Sequence, residues 1–309
     1  MKLDFIGTSL TVDIEGSADI TYSIDGTKTT LKGAGGEVLL AENLEKRRHK
    51  AVVTITNANG TNGIKSFETD TDGAILKNAD TKKYIQFIGD SITTDSRSYS
   101  YKIPETYGYD YSIISTNGIA LQDGAGWYYG SFEGLTYKDC VGIESAYFKT
   151  KNPRNAYVSE NGKWQYVNPD FDTANDHKPD VIVIGLGTND NGFINGGSYP
   201  EISADTFTES YVEFVRKLNT IYPDAEIYIL RQFNNVTDNG NGVNLSEKYD
   251  VMRNATVNAV NILSSIPKVH YIDTSEWQIP IRDDDTHPTQ WGYEALRDLV
   301  YNEIKASLE

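Results

Sequence analysis

Gly89-Asp90-Ser91-Ile92-Thr93 follows an apolar run over residues 84–88. Such a run reads as a buried strand, and a glycine at its end permits a tight turn. Ser91 then falls where a strand stops and a helix would start, beside free N–H groups and a positive dipole end that suit an oxyanion. A serine so placed is either a nucleophile or an ordinary helix cap. Two later stretches bear on that choice. Gly187-Thr188-Asn189-Asp190 follows a second buried run over residues 181–186, and Asp284-Asp285-Thr286-His287-Pro288 lies just ahead of the last helical pattern. A serine hydroxyl is a weak nucleophile until a base takes its proton. His287 is the natural base, and Asp284, three residues earlier, can hold its other nitrogen and stabilise the imidazolium. Taken singly, His287 reads as an ordinary loop histidine, Asn189 as a turn residue and Gly118 as a tight bend. Asp283 and Asp285 flank Asp284, and such an acidic run also suits calcium.

These stretches need a scaffold. Residues 1–76 read as an all-β domain, with alternating runs at 10–14 and 18–24 and a hairpin signal at Asp25-Gly26. A further strand runs from His49 to Thr56 and ends in a turn at Asn57-Ala58-Asn59-Gly60. Short strands with turns at this spacing suggest a sandwich. His49 reads as structural or solvated. The polar stretch 77–83 reads as a linker, and 84–309 as the second domain.

In that second domain strands alternate with helical patterns. The segment from Ser91 to about Gly108 reads as partly helical, with Pro104 interrupting or ending it. Strands are expected at 110–115, 181–186, 225–230 and 269–273. Helices are expected at 206–221, where Phe207, Tyr211, Phe214, Leu218 and Ile221 keep helical spacing, at 247–263, and from Gln290 onward. Strand–helix alternation implies a parallel sheet covered on both faces. Ligands in such sheets bind at the carboxyl ends of the strands, where the candidate stretches fall.

Together the motifs resemble the SGNH (GDSL-type) hydrolases, whose blocks stand here as Gly89-Asp90-Ser91-Ile92-Thr93, Gly118, Gly187-Thr188-Asn189-Asp190, and Asp284 three residues before His287. The resemblance implies a flavodoxin-like three-layer α/β/α domain with a five-stranded parallel sheet. It also implies a Ser91–His287–Asp284 triad, with the family spacing selecting Asp284 among the three aspartates. The oxyanion donors it implies are the backbone N–H groups of Ser91 and Gly118 and the side-chain amide of Asn189. Asp90 and Asp190 are expected to brace loops. A small sandwich of jelly-roll type ahead of such a domain resembles carbohydrate esterase family 2, whose members are acetyl esterases acting on plant polysaccharides such as xylan and mannan. Some members of that family lack the acid of the triad. Asp284 implies a complete one here.

The bulk numbers fit a soluble globular protein, whose acidic balance reads chiefly as a solubility feature and also suits a neutral polysaccharide substrate. The chain has 309 residues, 39% hydrophobic and 23% charged, enough for one large domain or two ordinary ones. A formal charge of −16 would repel nucleic acid. The single cysteine, Cys140, excludes an internal disulfide and any cysteine-based metal cluster, and reads as a small buried hydrophobe. No run is long enough to span a membrane, and the first residues lack the apolar core of a signal peptide. A secreted protein whose signal has been removed is the expectation, with a cytoplasmic one as the alternative. No cofactor or metal is expected, and the partner is an acetylated carbohydrate. The oligomeric state is not encoded in any pattern found. Trp127, Trp164 and Tyr166 are candidates for stacking on sugar rings, Trp164-Gln165-Tyr166 also resembling a family aromatic motif; core packing is the competing role for each. The alternatives in function are a lipase or thioesterase on longer acyl chains, and an inactive carbohydrate-binding protein.

Overall fold

The computed structural model describes residues 1–56, 63–76, 82–174, 176–194, 199, 201–238, 243–245, 249–282, 284 and 286–309. The turn expected at 57–60, most of the linker expected at 77–83, and the flanking Asp283 and Asp285 lie outside the described residues. The chain divides into two compact units, Met1–Thr81 and Lys82–Glu309.

The first unit is built from β1 (Lys2–Gly7), β2 (Leu10–Ile24), β3 (Thr27–Ala41), β4 (Arg47–Thr56), β5 (Gly63–Glu68) and β6 (Ala74–Leu76). Its sheet runs β3-β2-β4-β1-β6, with β5 also paired to β2, and every pairing is antiparallel. The two runs expected at 10–14 and 18–24 are one long strand. Its pairing to β3 shifts register between Ile14 and Ala18, and it pairs with β5 before the shift and β4 after it. Alternation places Leu10, Val12, Ile14, Ile20 and Ile24 with Phe5 and Val53 in one core. Asp25 and Gly26 both take positive φ, 49° and 89°, as a two-residue hairpin turn of the primed type requires. These pairings establish an antiparallel-sheet unit and do not single out a jelly roll.

The second unit opens with β7 (Tyr84–Gly89), α1 (Ser91–Thr94), α2 (Tyr99–Tyr107) and β8 (Asp110–Ser115). A loop-rich stretch with α3 (Ile143–Ala146) and the hairpin β9 (Tyr157–Glu160) and β10 (Lys163–Tyr166) leads to β11 (Val181–Gly185) and α4 (Thr188–Ile194). Then come α5 (Ala204–Ile221), β12 (Glu226–Leu230), β13 (Asn234–Asp238), β14 (Val243–Leu245), α6 (Asp250–Leu263), β15 (Val269–Ile272), β16 (Gln278–Pro280) and α7 (Gln290–Ile304). The order β8-β7-β11-β12-β15, all parallel, is the 2-1-3-4-5 order of flavodoxin-like sheets.

Period-two alternation sorts the sheet into two faces. Ile182, Ile184, Ile227 and Ile229 meet Phe207, Tyr211, Phe214 and Leu218 of α5 and Met252, Ala255 and Ala259 of α6. Val181, Val183, Tyr228 and Leu230 face the other way, onto Tyr99 and Ile103 of α2 and Tyr293, Leu296 and Val300 of α7. Burying each large aliphatic side chain of this kind stabilises the fold by about 1.5–3 kcal/mol, so these two cores hold the strand ends rigid. Pro104 does not end α2. The helix carries it inside and ends three residues later at Tyr107, followed by Gly108, whose φ of 79° gives the left-handed cap. No helix among the described residues is long and apolar enough to cross a membrane.

Candidate active site

Ser91 is the first residue of α1, directly beyond the carboxyl end of β7. Gly89 is required there by close approach: a Cβ would stand 2.0 Å from Thr93 Oγ1 and 2.9 Å from the Gly185 carbonyl. Asp90 caps α1, its Oδ1 accepting from the Ile92 N–H at 2.9 Å. Burial pushes this carboxyl up to about 6, against the pull of the Ile92 N–H. Thr94 Oγ1 lies 2.8 Å from Ser115 Oγ, fastening the Ser91 turn to the end of β8.

The histidine arrives from a different segment. Pro280 O accepts from Thr289 N at 2.9 Å, and His287 O accepts from Arg282 N at 2.8 Å, so residues 280–289 form a closed loop just ahead of α7. Ser91 Oγ lies 2.8 Å from His287 Nε2, and His287 Nδ1 lies 2.9 Å from Asp284 Oδ2. An ionised carboxylate only accepts, so Nδ1 carries the hydrogen and Nε2 is the acceptor that faces the serine hydroxyl. Asp284 Oδ1 accepts from the Thr286 and His287 N–H groups at 3.0 and 2.8 Å. Partial burial raises the Asp284 carboxyl, but these two N–H donors and the imidazole outweigh it and hold it below the ordinary carboxylate value. The pair is open to solvent, with 31% of the His287 side chain and 44% of that of Asp284 exposed.

Gly118 and Asn189 meet beside one another. Gly118 follows β8 with φ of 79°, a conformation costly for any residue with a Cβ, and its carbonyl accepts from Trp127 N at 2.7 Å. Asn189 stands in the first turn of α4, beyond β11, and its amide donates to the Ile119 carbonyl at 2.7 Å. An amide NH₂ has two donors, so this bond orients the group and leaves one hydrogen over. Asp190, fully buried, accepts from the Leu121 N–H at 3.0 Å and the Gln122 N–H at 3.3 Å, bracing the loop behind Gly118. Burial pushes Asp190 up to about 6 as well.

The three aromatic candidates separate. Trp127 stacks on Phe193 of α4, with centroids 4.4 Å apart, and its Nε1 donates to the Asn189 carbonyl at 3.2 Å. It remains 43% exposed, so the indole is held flat against the Asn189 turn with one face outward. Trp164 packs edge-on against Phe132 and Tyr166 against Tyr157, both along the core beneath β9 and β10. Cys140 is buried, and burial pushes its thiol up to about 11. The residues that sequence reasoning missed are the fasteners, Thr94, Ser115 and the Ile119 carbonyl. Their residue types carry no signal.

A parallel doubly wound sheet with a serine, a histidine and an asparagine gathered beyond its strand ends defines an α/β hydrolytic class. Residues 87–295 match the model of the GDSL-like lipase/acylhydrolase family. The chain belongs to that family and is a carboxylic ester hydrolase. No match is found among curated proteins. Among solved structures the chain is similar to an active-site mutant of a family two carbohydrate esterase from Clostridium thermocellum in complex with a cello-oligosaccharide, at 20% identity and a TM-score of 0.63, covering 99% of this chain and 90% of that one. It is also similar to a family two carbohydrate esterase with a carbohydrate-binding domain from Corynascus thermopiles (Myceliophthora fergusii), at 21% identity and a TM-score of 0.61, covering 99% and 93%. An acetyl xylan esterase from the rumen bacterium Butyrivibrio proteoclasticus matches at 15% identity and a TM-score of 0.61, covering 99% and 90%. At these identities the likeness is one of fold.

Proposed function

We propose that this chain removes O-acetyl groups from a carbohydrate by way of an acyl-enzyme on Ser91. The observation that carries the reading is the unbroken hydrogen-bonded line Ser91 Oγ–His287–Asp284, with links of 2.8 and 2.9 Å, beyond the ends of the parallel strands. His287 Nε2 takes the Ser91 proton as Oγ attacks the acetyl carbonyl. The developing oxyanion is held by the N–H groups of Ser91 and Gly118 and by the Asn189 amide hydrogen not bonded to Ile119. Removing one such donor from an acyl-transfer site typically lowers turnover by about 10²–10³. Protonated His287, stabilised by Asp284, then delivers its proton to the departing sugar oxygen, and the C–O bond breaks. Water, deprotonated by the same imidazole, releases acetate from Ser91.

Two features support a carbohydrate as the alcohol. The His287–Asp284 pair is open to solvent, which suits an acetyl group presented on a bulky chain. Trp127 offers an outward aromatic face one residue contact from Asn189, and a sugar ring stacks on such a face. The fold shared with family two carbohydrate esterases agrees with this substrate class. The experiment is hydrolysis of 4-nitrophenyl acetate against 4-nitrophenyl octanoate, with Ser91→Ala alongside. Acetate preference that vanishes in Ser91→Ala supports the reading, and octanoate preference moves the protein to longer acyl chains.

A further inference from the structure

Ser91 and His287 are 196 residues apart, on separate segments, and their 2.8 Å approach has to be held by something other than the bond itself. Asp95 is the residue that closes α1. Its N–H donates to the Ser91 carbonyl at 3.2 Å, so its carboxylate is fixed one helical turn from the nucleophile. On the histidine side, Arg282 is bonded into the loop twice. Its N–H donates to the His287 carbonyl at 2.8 Å and its Nε to the Pro288 carbonyl at 3.1 Å. The same guanidinium reaches out of that loop, and Nη2 donates to Asp95 Oδ2 at 3.3 Å. Arg97 also holds Asp95, its Nε on Oδ1 at 2.8 Å and its Nη2 on Oδ2 at 2.6 Å, and its guanidinium lies 5.1 Å from the centre of the Tyr293 ring on α7.

We propose that Arg282 is a positioning residue, which clamps the His287 loop to the end of the Ser91 helix and so sets the distance between the base and the nucleophile. It rests on the esterase reading above. The arrangement has the features that make an ion pair count: a planar fork with two acceptors on different segments, and a carboxylate already oriented by a second arginine. Asp95 is well placed to serve, because the Arg97 guanidinium holds its carboxyl down at about 2, with Arg282 adding to the effect. An isolated surface pair of this exposure contributes little to stability. The consequence of its loss therefore falls on alignment, where a shift of about 1 Å in a reacting pair can cost about 10²-fold in rate.

Arg282→Ala, Asp95→Asn and the double variant test this. Three quantities are measured: kcat and KM on 4-nitrophenyl acetate, the rate at which a fluorophosphonate labels Ser91, and Tm. We expect kcat and the labelling rate of Arg282→Ala to fall about tenfold or more, with KM within about twofold and little change in Tm. The double variant should be no slower than the slower single one, since both remove one contact. Added guanidinium ion should restore part of the rate to Arg282→Ala and none to Asp95→Asn. Unchanged labelling in Arg282→Ala, or a loss that follows a fall in Tm and resists rescue, would overturn the proposal. A wild type that labels on Ser91 but does not hydrolyse the ester would overturn the esterase reading and leave the clamp to be decided by the labelling rates. A wild type that does not label at all would contradict both.

Discussion

His49 and His287 each sit beside an aspartate, at 2.8 and 2.9 Å, yet their surroundings differ. His49 is buried in the antiparallel unit, 1% exposed, stacked on Phe5 at 5.0 Å, with its second nitrogen 2.7 Å from the Glu45 carbonyl. Both of its nitrogens face acceptors that belong to the fold. His287 stands in a loop with its second nitrogen on a serine hydroxyl. His270 makes a third such pair, Nε2 lying 2.6 Å from Glu226. Three of the four histidines in the chain thus hold a carboxylate, so that contact does not identify a base. What distinguishes His287 is the atom on the far side of the ring.

The strongest way to break this contrast is to remove each ring. His287→Ala should lower hydrolysis of 4-nitrophenyl acetate by about 10³-fold or more, because the proton acceptor is gone. His49→Ala should leave kcat within about twofold and lower Tm, since it removes a buried ring that stacks on Phe5 and bonds both Asp25 and the Glu45 carbonyl, at a cost of about 1–3 kcal/mol. Activity loss in His49→Ala without a fall in Tm would contradict the division.

The aspartates sharpen it. Asp284→Asn should reduce kcat by about 10–10²-fold, less than the ~10⁴ typical of a buried triad acid, because water reaches this carboxylate and can replace part of its effect. Asp25→Asn should leave kcat unchanged and lower Tm. Steady-state kinetics with thermal unfolding of both variants checks the pair.

An effect on stability alone is expected at Asp190, buried behind the Gly118 loop. Its carboxyl sits at about 6 in the folded protein, above the ordinary 3.8, so the folded state binds a proton that the unfolded chain has already released between those values. Stability then falls as pH rises from about 4 to about 6, by up to about 3 kcal/mol from this group. Urea unfolding at pH 4 and pH 7 should show a larger loss for the wild type than for Asp190→Asn. An equal loss in both would contradict the assignment of that slope to Asp190.

The reading of residues alone succeeded where one physical pattern dominates. β7 and β11 are buried on both faces and therefore appear as apolar runs, interrupted in β7 only by the buried Gln86, and the helices α5 and α7 keep a single apolar stripe. It failed where the decisive contact is long-range. Leu10 to Ile24 reads as two short alternating runs because Glu15, Gly16 and Ser17 are exposed between them, although the buried positions keep one period-two phase along the whole strand. The helix expected at 247–263 is α6, which runs over Asp250–Leu263, with residues 247 and 248 outside the described residues. Ser91, Asn189 and His287 were visible because their neighbours in sequence form motifs. Asp95 and Arg282 were not, being ordinary charged residues 187 positions apart whose meeting depends on the whole fold. Trp127 was visible as an aromatic, but its seat on Phe193 beside Asn189 was not.

The most direct test of the central claim is to acid-quench the enzyme during turnover of acetylated xylan or 4-nitrophenyl acetate and search its peptides for an acetyl group by mass spectrometry. The account predicts one acetyl group on the peptide bearing Ser91, absent in Ser91→Ala and in His287→Ala. Acetate release that continues in Ser91→Ala, or an acetyl group carried on another residue during turnover, would contradict it.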